Sequence, residues 1–308
     1  MRFLRRPGVY TGPFFYFCTV KNVRPTYLTE NSIGEFIARA LAEDIGDGDH
    51  SSLAAIPADA QNQARLLIKG DGILAGVELA TYIFKAVDPE LQVEILLQDG
   101  AQVKYGDIGL TVKGKAQSIL TAERLVLNCM QRMSGIATYT NSLQQLIAGT
   151  GAKLLDTRKT TPNFRMMEKW AVVIGGGHNH RFGLYDMVML KDNHVDYAGG
   201  IREAITATQR YLQEKGKNLH IEVETRNLQE VREVLETGGI QRIMLDNMAP
   251  DMMREAVKMI AGRYEVEASG GITEKTIRAV AACGVDYISV GALTHSMKSL
   301  DISLKAYK

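Results

Sequence analysis

The chain is organised around residues 154–194, which read LLDTRKTTPNFRMMEKWAVVIGGGHNHRFGLYDMVMLKDNH. Two short apolar runs in this stretch are typical of buried strands. The first ends at Asp156, just before Arg158 and Lys159, and the second is followed by Lys191. Because ligands of α/β proteins bind beyond the carboxyl ends of parallel strands, the stretch predicts two strands with a ligand site at their ends.

Strand-like runs continue through the second half of the chain. The segments HIEVE, RIMLD, EVEASG and DYISVG alternate with helical periodicity, which is clearest at residues 200–215, 228–237, 250–262 and 273–283. Such alternation predicts a parallel sheet wrapped by helices. At least six strands with short turns favour a closed or nearly closed barrel, and no GxGxxG follows any strand, which disfavours a dinucleotide-binding sheet.

The first half of the chain has a different pattern. A capping-box sequence at 32–35, led by Ser32, predicts the start of an amphipathic helix, and a long helix is predicted from Thr121. Between them, residues 64–116 alternate strand-like runs with glycine turns around a predicted helix at 77–87. Segment 43–50 is acidic and contains glycines, but no glutamate stands at the twelfth position, so a plain loop is favoured over a calcium site.

Composition places the chain among ordinary globular proteins. Of its 308 residues 45% are hydrophobic and 23% are charged, and a net charge of +1 gives no overall bias toward nucleic acids or anionic membranes. Three cysteines without a CxxC spacing predict reduced thiols in a cytoplasmic protein, and no apolar run has the length of a membrane span. Residues 1–27 superficially resemble a signal peptide, but glycines interrupt them and no small-x-small cleavage site appears, so a poorly ordered extension is predicted.

Charged or glycine-containing sequences stand at the ends of six predicted strands. In a barrel these ends converge on one rim, where active sites are built. The residues concerned are Asp156 with Arg158 and Lys159, then Lys191, Glu224, Asp246, Ser269-Gly270-Gly271 and Val290-Gly291-Ala292.

Each group at this rim suits a particular chemistry. Backbone amides of the two glycine turns can hold phosphate, and a merely tight turn is the alternative for each. Glu224 and Asp246 suit ribose hydroxyls or Mg²⁺ with retained waters, while ion pairs with neighbouring cations are the alternative. Glu222 shares a strand face with Glu224 and could serve in its place. The cations of the rim suit a small molecule with several negative charges.

These residues resemble the quinolinate phosphoribosyltransferase family of decarboxylating enzymes. The resemblance runs from about residue 30 to the end of the chain, with Asn163 in place of a usual glycine and Trp170 in place of a tyrosine. The matching sequences are DTRKTTP at 156–162, Glu168-Lys169, the glycine triplet at 175–177, Asn179-His180-Arg181 and KDNH at 191–194.

The resemblance implies a type II phosphoribosyltransferase fold. Its parts would be an N-terminal α+β sandwich-like domain at 28–134, to which residues 297–308 return, and an open or incomplete TIM-like α/β barrel at 135–296. The implied reaction converts quinolinate and phosphoribosyl pyrophosphate into nicotinate mononucleotide, pyrophosphate and CO₂ in NAD biosynthesis. The implied cofactor is Mg²⁺.

The resemblance also implies roles for individual residues. Arg124 would cross a homodimer interface to reach the partner's substrate, while Glu224 and Asp246 would hold ribose or Mg²⁺, directly or through water. The other substrate-binding residues would be Arg158, Lys159, Thr160, His180, Arg181 and Lys191. Phosphate would bind at Ser269, Gly270, Gly271, Val290, Gly291 and Ala292.

Three other functions stay open at this point. A non-decarboxylating transferase acting on nicotinate would need fewer cations at the rim. A Schiff-base aldolase would use Lys191 as its nucleophile in a dry pocket, and an inert nucleotide-binding barrel would have lost part of the rim. Zinc at His178 and His180 is disfavoured because no third ligand of suitable type lies nearby in the sequence.

Overall fold

The computed structural model describes residues 24–307 of the chain, so most of the predicted extension at 1–27 lies outside the described residues. A long helix, α4, separates a first group of elements from a second. In chain order the first group and α4 are α1 (Glu30–Ile45), α2 (His50–Ala55), β1 (Gln61–Ile68), β2 (Gly72–Ile73), α3 (Val77–Val87), β3 (Gln92–Ile95), β4 (Gln102–Val103), β5 (Ile108–Lys115) and α4 (Ala116–Leu146).

Strands and helices alternate regularly after α4. The elements are β6 (Lys153–Leu155), α5 (Arg165–Ile174), β7 (Val188–Leu190), α6 (Asp192–Ala198), α7 (Ile201–Glu214), β8 (Ile221–Thr225), α8 (Leu228–Thr237), β9 (Arg242–Asp246), α9 (Pro250–Ile260), β10 (Glu265–Ser269), α10 (Ile277–Ala281), β11 (Tyr287–Ser289), α11 (Ala292–His295) and β12 (Ile302–Ala306).

The predicted start of the first helix was wrong. Helix α1 begins ahead of Ser32 because the capping residue is Thr29, whose hydroxyl accepts a hydrogen bond from the Ser32 backbone N–H at 3.0 Å. Ser32 Oγ accepts in return from the Thr29 N–H at 3.0 Å. Ser32 is therefore the last member of the capping box and not its first.

Other predicted helix bounds also differ from the structure, most clearly those of α4 and α10. Helix α4 begins at Ala116, before the predicted Thr121, and directly continues β5. Helix α10 is shorter than the predicted 273–283, because residues 273–276 form a turn in which the Thr273 N–H donates to Thr276 Oγ1 at 2.9 Å. Local periodicity continues across these boundaries, so it does not reveal where the hydrogen bonding changes.

Six parallel strands form the main sheet in the order β6-β11-β10-β9-β8-β7. Strands β6 and β7 stand at its two edges, and the outer side of β6 carries one further parallel bridge, between Leu155 and His178. In the described part of the chain the sheet therefore stays open between β6 and β7. The predicted α/β class with an open barrel is confirmed, and among the described residues the strands do not close into a complete barrel.

A second, antiparallel sheet has the order β12-β1-β5-β3. The C-terminal strand β12 pairs with β1 from Ala306 opposite Ala64 to Ile302 opposite Ile68. Helix α4 packs against α3 of the first group and against α5 of the second, and thereby joins both parts of the molecule. None of the helices from residue 24 to residue 307 is long and apolar enough to cross a membrane.

Alternation along the parallel strands places polar side chains on one face. All five residues of β8 are buried: Ile221 and Val223 belong to the hydrophobic core, whereas Glu222 and Glu224 point to the opposite face. Burying each large aliphatic side chain contributes roughly 1.5–3 kcal/mol, which holds the helices to the outer face. The inner face is left free to carry the charged residues of the site.

Candidate active site

The loop after β6 and the turn after β11 lie against each other at the carboxyl ends of the strands. A Cβ added to Gly291 would lie 3.0 Å from Lys159 Cδ, so the lysine side chain packs closely on this glycine. Thr294 Oγ1 also donates a hydrogen bond to the Lys159 carbonyl oxygen at 2.8 Å. The structure thus brings together a predicted substrate-binding lysine and a predicted phosphate-binding turn.

Arg158 and Arg181 form a second pair of cations at this rim, both half-buried. Burial, and to a lesser extent the positive charge of Arg158, lower the pKa of Arg181. Arg158 Nε is buried and has no hydrogen-bond partner among residues 24–307. Two half-buried guanidinium groups, one of them with a free donor, suit an anion with two carboxylates.

A buried network below this pair holds the loops in place. Lys169 Nζ contacts Asp156 Oδ1 directly and also donates to the His180 carbonyl oxygen at 3.0 Å. The same Asp156 carboxylate accepts from Asn179 Nδ2 at 2.6 Å and from the His180 backbone N–H at 2.9 Å. Since three donors converge on Asp156, it is held as a carboxylate even though burial raises its pKa. The network positions the segment that carries Arg181.

Arg132 of α4 ties the loop after β6 to the turn after β11. Its Nε donates to Glu168 Oε1 at 2.7 Å, and its Nη2 donates to Thr161 Oγ1 at 2.9 Å and to the Thr294 carbonyl oxygen at 3.0 Å. Glu168 is fully buried, and its Oε2 accepts from the Thr161 N–H at 3.0 Å. The Arg132 guanidinium group therefore fixes the spacing between the loop that carries Lys159 and the turn after β11 against which Lys159 packs.

His180 does not point a free nitrogen at the rim. Its Nδ1 accepts from the Arg181 backbone N–H at 2.6 Å, and its Nε2 lies 2.9 Å from Glu222 Oε2 and 3.3 Å from Glu267 Oε2. Both ring nitrogens are thus used inside the protein. The structure places His180 as a support for its neighbours and offers no free nitrogen for the predicted direct contact with substrate.

The carboxylates around His180 form a buried cluster with Arg242, whose Nη1 lies 3.2 Å from Glu267 Oε2. Burial alone would lower the pKa of His180, but Glu222 and Glu267 outweigh it and raise the pKa to about 9. Burial and the Glu267 charge raise the pKa of Glu222 to about 7. The His180 ring and the two carboxylates therefore titrate together, and they share one additional proton.

The cluster also corrects one argument about zinc. The sequence shows no third ligand near His178 and His180, yet the fold brings Glu222 and Glu267 to within 4.8 Å of the His180 ligand atom. His178 is exposed and does not join them. Because Arg242 and a shared proton already balance these carboxylates, zinc stays disfavoured for a different reason than the one given by the sequence.

Glu224 and Asp246 fit a hard divalent cation better. Burial and the nearby Asp246 carboxylate raise the pKa of Glu224, while Lys191 Nζ, 3.9 Å from Glu224 Oε2, opposes the shift. A cation would relieve the repulsion between the two carboxylates, and Mg²⁺ prefers such oxygen ligands with retained waters. The predicted choice of Glu224 over Glu222 agrees with their positions, since Glu222 is turned to His180 below the rim.

The turn after β10 requires glycine at its centre. Gly270 has a φ of +93°, and a Cβ there would lie 2.2 Å from Asn247 Oδ1. Asn247 itself adopts a left-handed φ of +53°, donates from Nδ2 to Asp246 Oδ2 at 2.7 Å, and donates from its backbone N–H to the Ser269 carbonyl at 2.9 Å. It links the acidic strand end to the predicted phosphate turn, and asparagine is one of the few residues that adopt this left-handed conformation readily.

Among residues 24–307, Thr160, Arg124 and Asn163 make only local contacts, which do not test the roles predicted for them. Thr160 accepts at Oγ1 from Arg165 Nε at 2.9 Å, so it shapes its own loop. Arg124 lies exposed on α4, with Glu123 4.0 Å away. Asn163 has a left-handed φ of +62°, which explains why asparagine or glycine suits this position.

The glycine triplet serves packing. A Cβ on Gly175 would lie 2.5 Å from the Ala137 carbonyl oxygen of α4, so glycine lets the end of α5 approach that helix. The residues that the sequence did not single out for the site are Tyr27, Arg132, Asn247 and Glu267. For Glu267 the alternating glutamates of EVEAS were an available signal, since charged residues inside an apolar strand are rarely buried without a partner.

The fold and the rim define an α/β-barrel enzyme that handles small molecules with several negative charges. Residues 136–305 match the family model of the quinolinate phosphoribosyl transferase C-terminal domain, and residues 49–134 match that of the N-terminal domain. The chain belongs to the quinolinate phosphoribosyltransferase family.

Known relatives span nearly the whole chain. The protein is 49% identical to quinolinate phosphoribosyltransferase [decarboxylating] 1b of Nicotiana tabacum, over 91% of this chain and 83% of that one. Identity and coverage are the same for the chloroplastic nicotinate-nucleotide pyrophosphorylase [carboxylating] of Arabidopsis thaliana. The crystal structure of NadC from Streptococcus pyogenes has a TM-score of 0.86 at 38% identity, over 92% of this chain and 100% of that one. These findings confirm the predicted family and fold class.

Proposed function

We propose that the protein transfers a phosphoribosyl group from phosphoribosyl pyrophosphate to quinolinate with loss of CO₂, producing nicotinate mononucleotide and pyrophosphate for NAD biosynthesis. The observation that carries the proposal is the half-buried pair of Arg158 and Arg181 at the rim, where the buried Arg158 Nε has no partner among the described residues. A pyridine with two adjacent carboxylates supplies two negative charges, which would balance the positive charges of Arg158 and Arg181. Its membership of a family with decarboxylating relatives supports the same reaction.

The second substrate would bind on the other side of the rim. Lys159 would supply a positive charge to the phosphates, and the turns at Gly270 and Gly291 would supply backbone N–H groups. Glu224 and Asp246 would hold the ribose hydroxyls, and Mg²⁺ held there with retained waters would neutralise charge on the pyrophosphate. Lys191 stands beside Glu224 and adds positive charge between the two substrates.

The protein would then act by orientation and electrostatics. The bond from C1 of the ribose to pyrophosphate breaks, its electron pair leaves with pyrophosphate, and the quinolinate nitrogen forms a new bond to C1. The 2-carboxylate departs as CO₂, its bonding electrons remain on the ring beside the positively charged nitrogen, and a proton is taken up at that carbon. Such steps need preorganised charges and no nucleophilic side chain.

The assembly and the compartment are part of the proposal. We infer a homodimer, because the exposed Arg124 has a role in binding only if it reaches the substrate of a partner subunit. The free, buried thiols of Cys129 and Cys283 support a reducing compartment, and we propose the cytoplasm. Since the Arabidopsis relative is named as chloroplastic, cell fractionation is the measurement that decides this point.

A single assay tests the reaction. Purified protein is mixed with Mg²⁺, phosphoribosyl pyrophosphate and quinolinate labelled at the 2-carboxylate, and the expected result is labelled CO₂ whose release depends on phosphoribosyl pyrophosphate. Turnover of nicotinate without release of CO₂ would instead support the non-decarboxylating transferase. Absence of turnover with both quinolinate and nicotinate would refute phosphoribosyl transfer to either pyridine.

A mixing experiment tests the shared site. Arg124→Ala and Lys159→Ala would each inactivate the homodimer, but a mixed dimer has one site with both native residues. We expect partial recovery of activity after subunit exchange. No recovery, with exchange verified by differently tagged subunits, would contradict a contribution of Arg124 across the interface.

A further inference from the structure

Tyr27 reaches the active-site network from the N-terminal side of α1. Its hydroxyl donates a hydrogen bond to Asn179 Oδ1 at 2.8 Å. Its ring packs on Phe182 with a centroid distance of 4.8 Å and a tilt of 39°. Asn179 and Phe182 stand on either side of His180 and Arg181, so one side chain holds both ends of the segment 179–182. The sequence had placed this residue in a poorly ordered extension, and the structure corrects that placement.

The position of Tyr27 is itself fixed by α1. Ser32 Oγ, part of the capping box, donates to the Tyr27 carbonyl oxygen at 2.8 Å, and the next residue, Leu28, is buried in the core. The ring of Phe36 on the same helix packs against Phe164 of the loop after β6, at a centroid distance of 5.6 Å. Helix α1 therefore rests on two loops of the barrel rim and presents Tyr27 to one of them.

Asn179 passes the contact on to the buried network. Because its Oδ1 accepts from Tyr27, its Nδ2 is directed to Asp156 Oδ2 at 2.6 Å and to the Lys169 carbonyl oxygen at 2.8 Å. Removing the tyrosine hydroxyl leaves a partly buried amide oxygen without its donor, which favours a rotation of the Asn179 side chain. A turn of Asn179 would break its hydrogen bonds to Asp156 and to the Lys169 carbonyl, which tie down the segment that carries Arg181.

We propose that Tyr27 is a positioning residue for Arg181 and thereby sets the affinity of the site for the dicarboxylate substrate. The inference rests on the proposed function, in which Arg181 and Arg158 bind quinolinate. It assigns part of the substrate affinity to a residue outside the barrel. Phosphoribosyl pyrophosphate binds at the turns beyond Lys159 and does not depend on the 179–182 segment, so the two substrates should respond differently.

The test compares Tyr27→Phe, which removes only the hydroxyl, with Tyr211→Phe, a matched control at an exposed position on α7. We expect Tyr27→Phe to raise the KM for quinolinate about fivefold to tenfold, while the KM for phosphoribosyl pyrophosphate changes less than about twofold. Tyr211→Phe should leave both constants unchanged. If Tyr27 serves only stability, Tyr27→Phe would lower the Tm and would either leave the two KM values unchanged or change both by the same factor. Either result would overturn the proposal.

A binding measurement separates affinity from turnover. Phthalate has the two adjacent carboxylates of quinolinate but no ring nitrogen, so it can bind without reacting. Calorimetric titration should show a loss of phthalate affinity of the same factor in Tyr27→Phe, and likewise in Phe182→Leu, which keeps the hydroxyl contact and removes the ring stacking. If the wild type releases labelled CO₂ and both variants bind phthalate as tightly as the wild type, the role of Tyr27 is refuted. Absence of release in the wild type would instead refute the proposed function.

Discussion

The buried pair of Lys169 and Asp156 offers the sharpest test of how the site is held together. Both side chains are fully buried, and Lys169 Nζ contacts the carboxylate of Asp156. Replacement of Lys169 by methionine keeps the volume and removes the charge. Burial lowers the pKa of Lys169, so the pair exists only because each charge compensates the other.

The expected loss follows from what remains after the substitution. In Lys169→Met, Asp156 keeps hydrogen bonds from Asn179 and from the His180 N–H but loses its counter-charge. Removing one partner of a buried ion pair costs about 3–5 kcal/mol, a large part of the stability of a typical domain. Asp156→Asn leaves a buried ammonium and should cost a similar amount. The double variant removes both charges, so it should be more stable than the sum of the two losses predicts, by about 2 kcal/mol.

Urea denaturation followed by tryptophan fluorescence measures the free energy of unfolding of the wild type, the two single variants and the double variant. The single Trp170 is adjacent to Lys169 and buried, so its emission reports on this region. Lys217→Met, at an exposed position, serves as the control and should change the free energy of unfolding by less than about 0.5 kcal/mol. Additive losses in the double variant would show that the two charges do not stabilise each other and would refute this account of the network.

Three further predictions concern other parts of the site. As pH rises from 6.5 through about 9, the free energy of unfolding should fall by at most about 3 kcal/mol. The reason is that the folded state keeps a proton in the His180 cluster up to about pH 9, whereas the unfolded chain releases it at lower pH. Glu222→Gln should flatten this slope in urea titrations, and equal slopes would contradict the shared proton. Gly270→Ala should weaken binding of phosphoribosyl pyrophosphate far more than Gly271→Ala, since a Cβ meets Asn247 only at the first position; equal effects in calorimetry would argue against the steric reason. Arg132→Lys should raise the KM for phosphoribosyl pyrophosphate about tenfold, because lysine cannot bond three partners in the guanidinium plane, and unchanged kinetics would exclude that spacing role.

The outcome for single elements shows how far local patterns reach. Helices α3 and α8 have the predicted bounds, because aspartate and proline after Val87 and asparagine before Leu228 mark the helix ends. The start of α4 was missed because nothing in the local pattern separates residues 116–120 from the strand before them. The substrate-binding role of His180 was carried over from the family, and the structure shows both of its ring nitrogens engaged inside the protein.

By itself, the sequence determined the class of fold, the family and the set of charged and glycine residues at the strand ends. Periodicity and chain direction are local properties, and the carboxyl ends of parallel strands must meet at one rim. Only the tertiary structure decided which side chains meet below that rim. His180 lies 42 positions from Glu222, and Tyr27 lies 152 positions from Asn179. Contacts over such separations depend on the curvature of the sheet and on how α1 docks, and neither is encoded in the spacing of neighbouring residues.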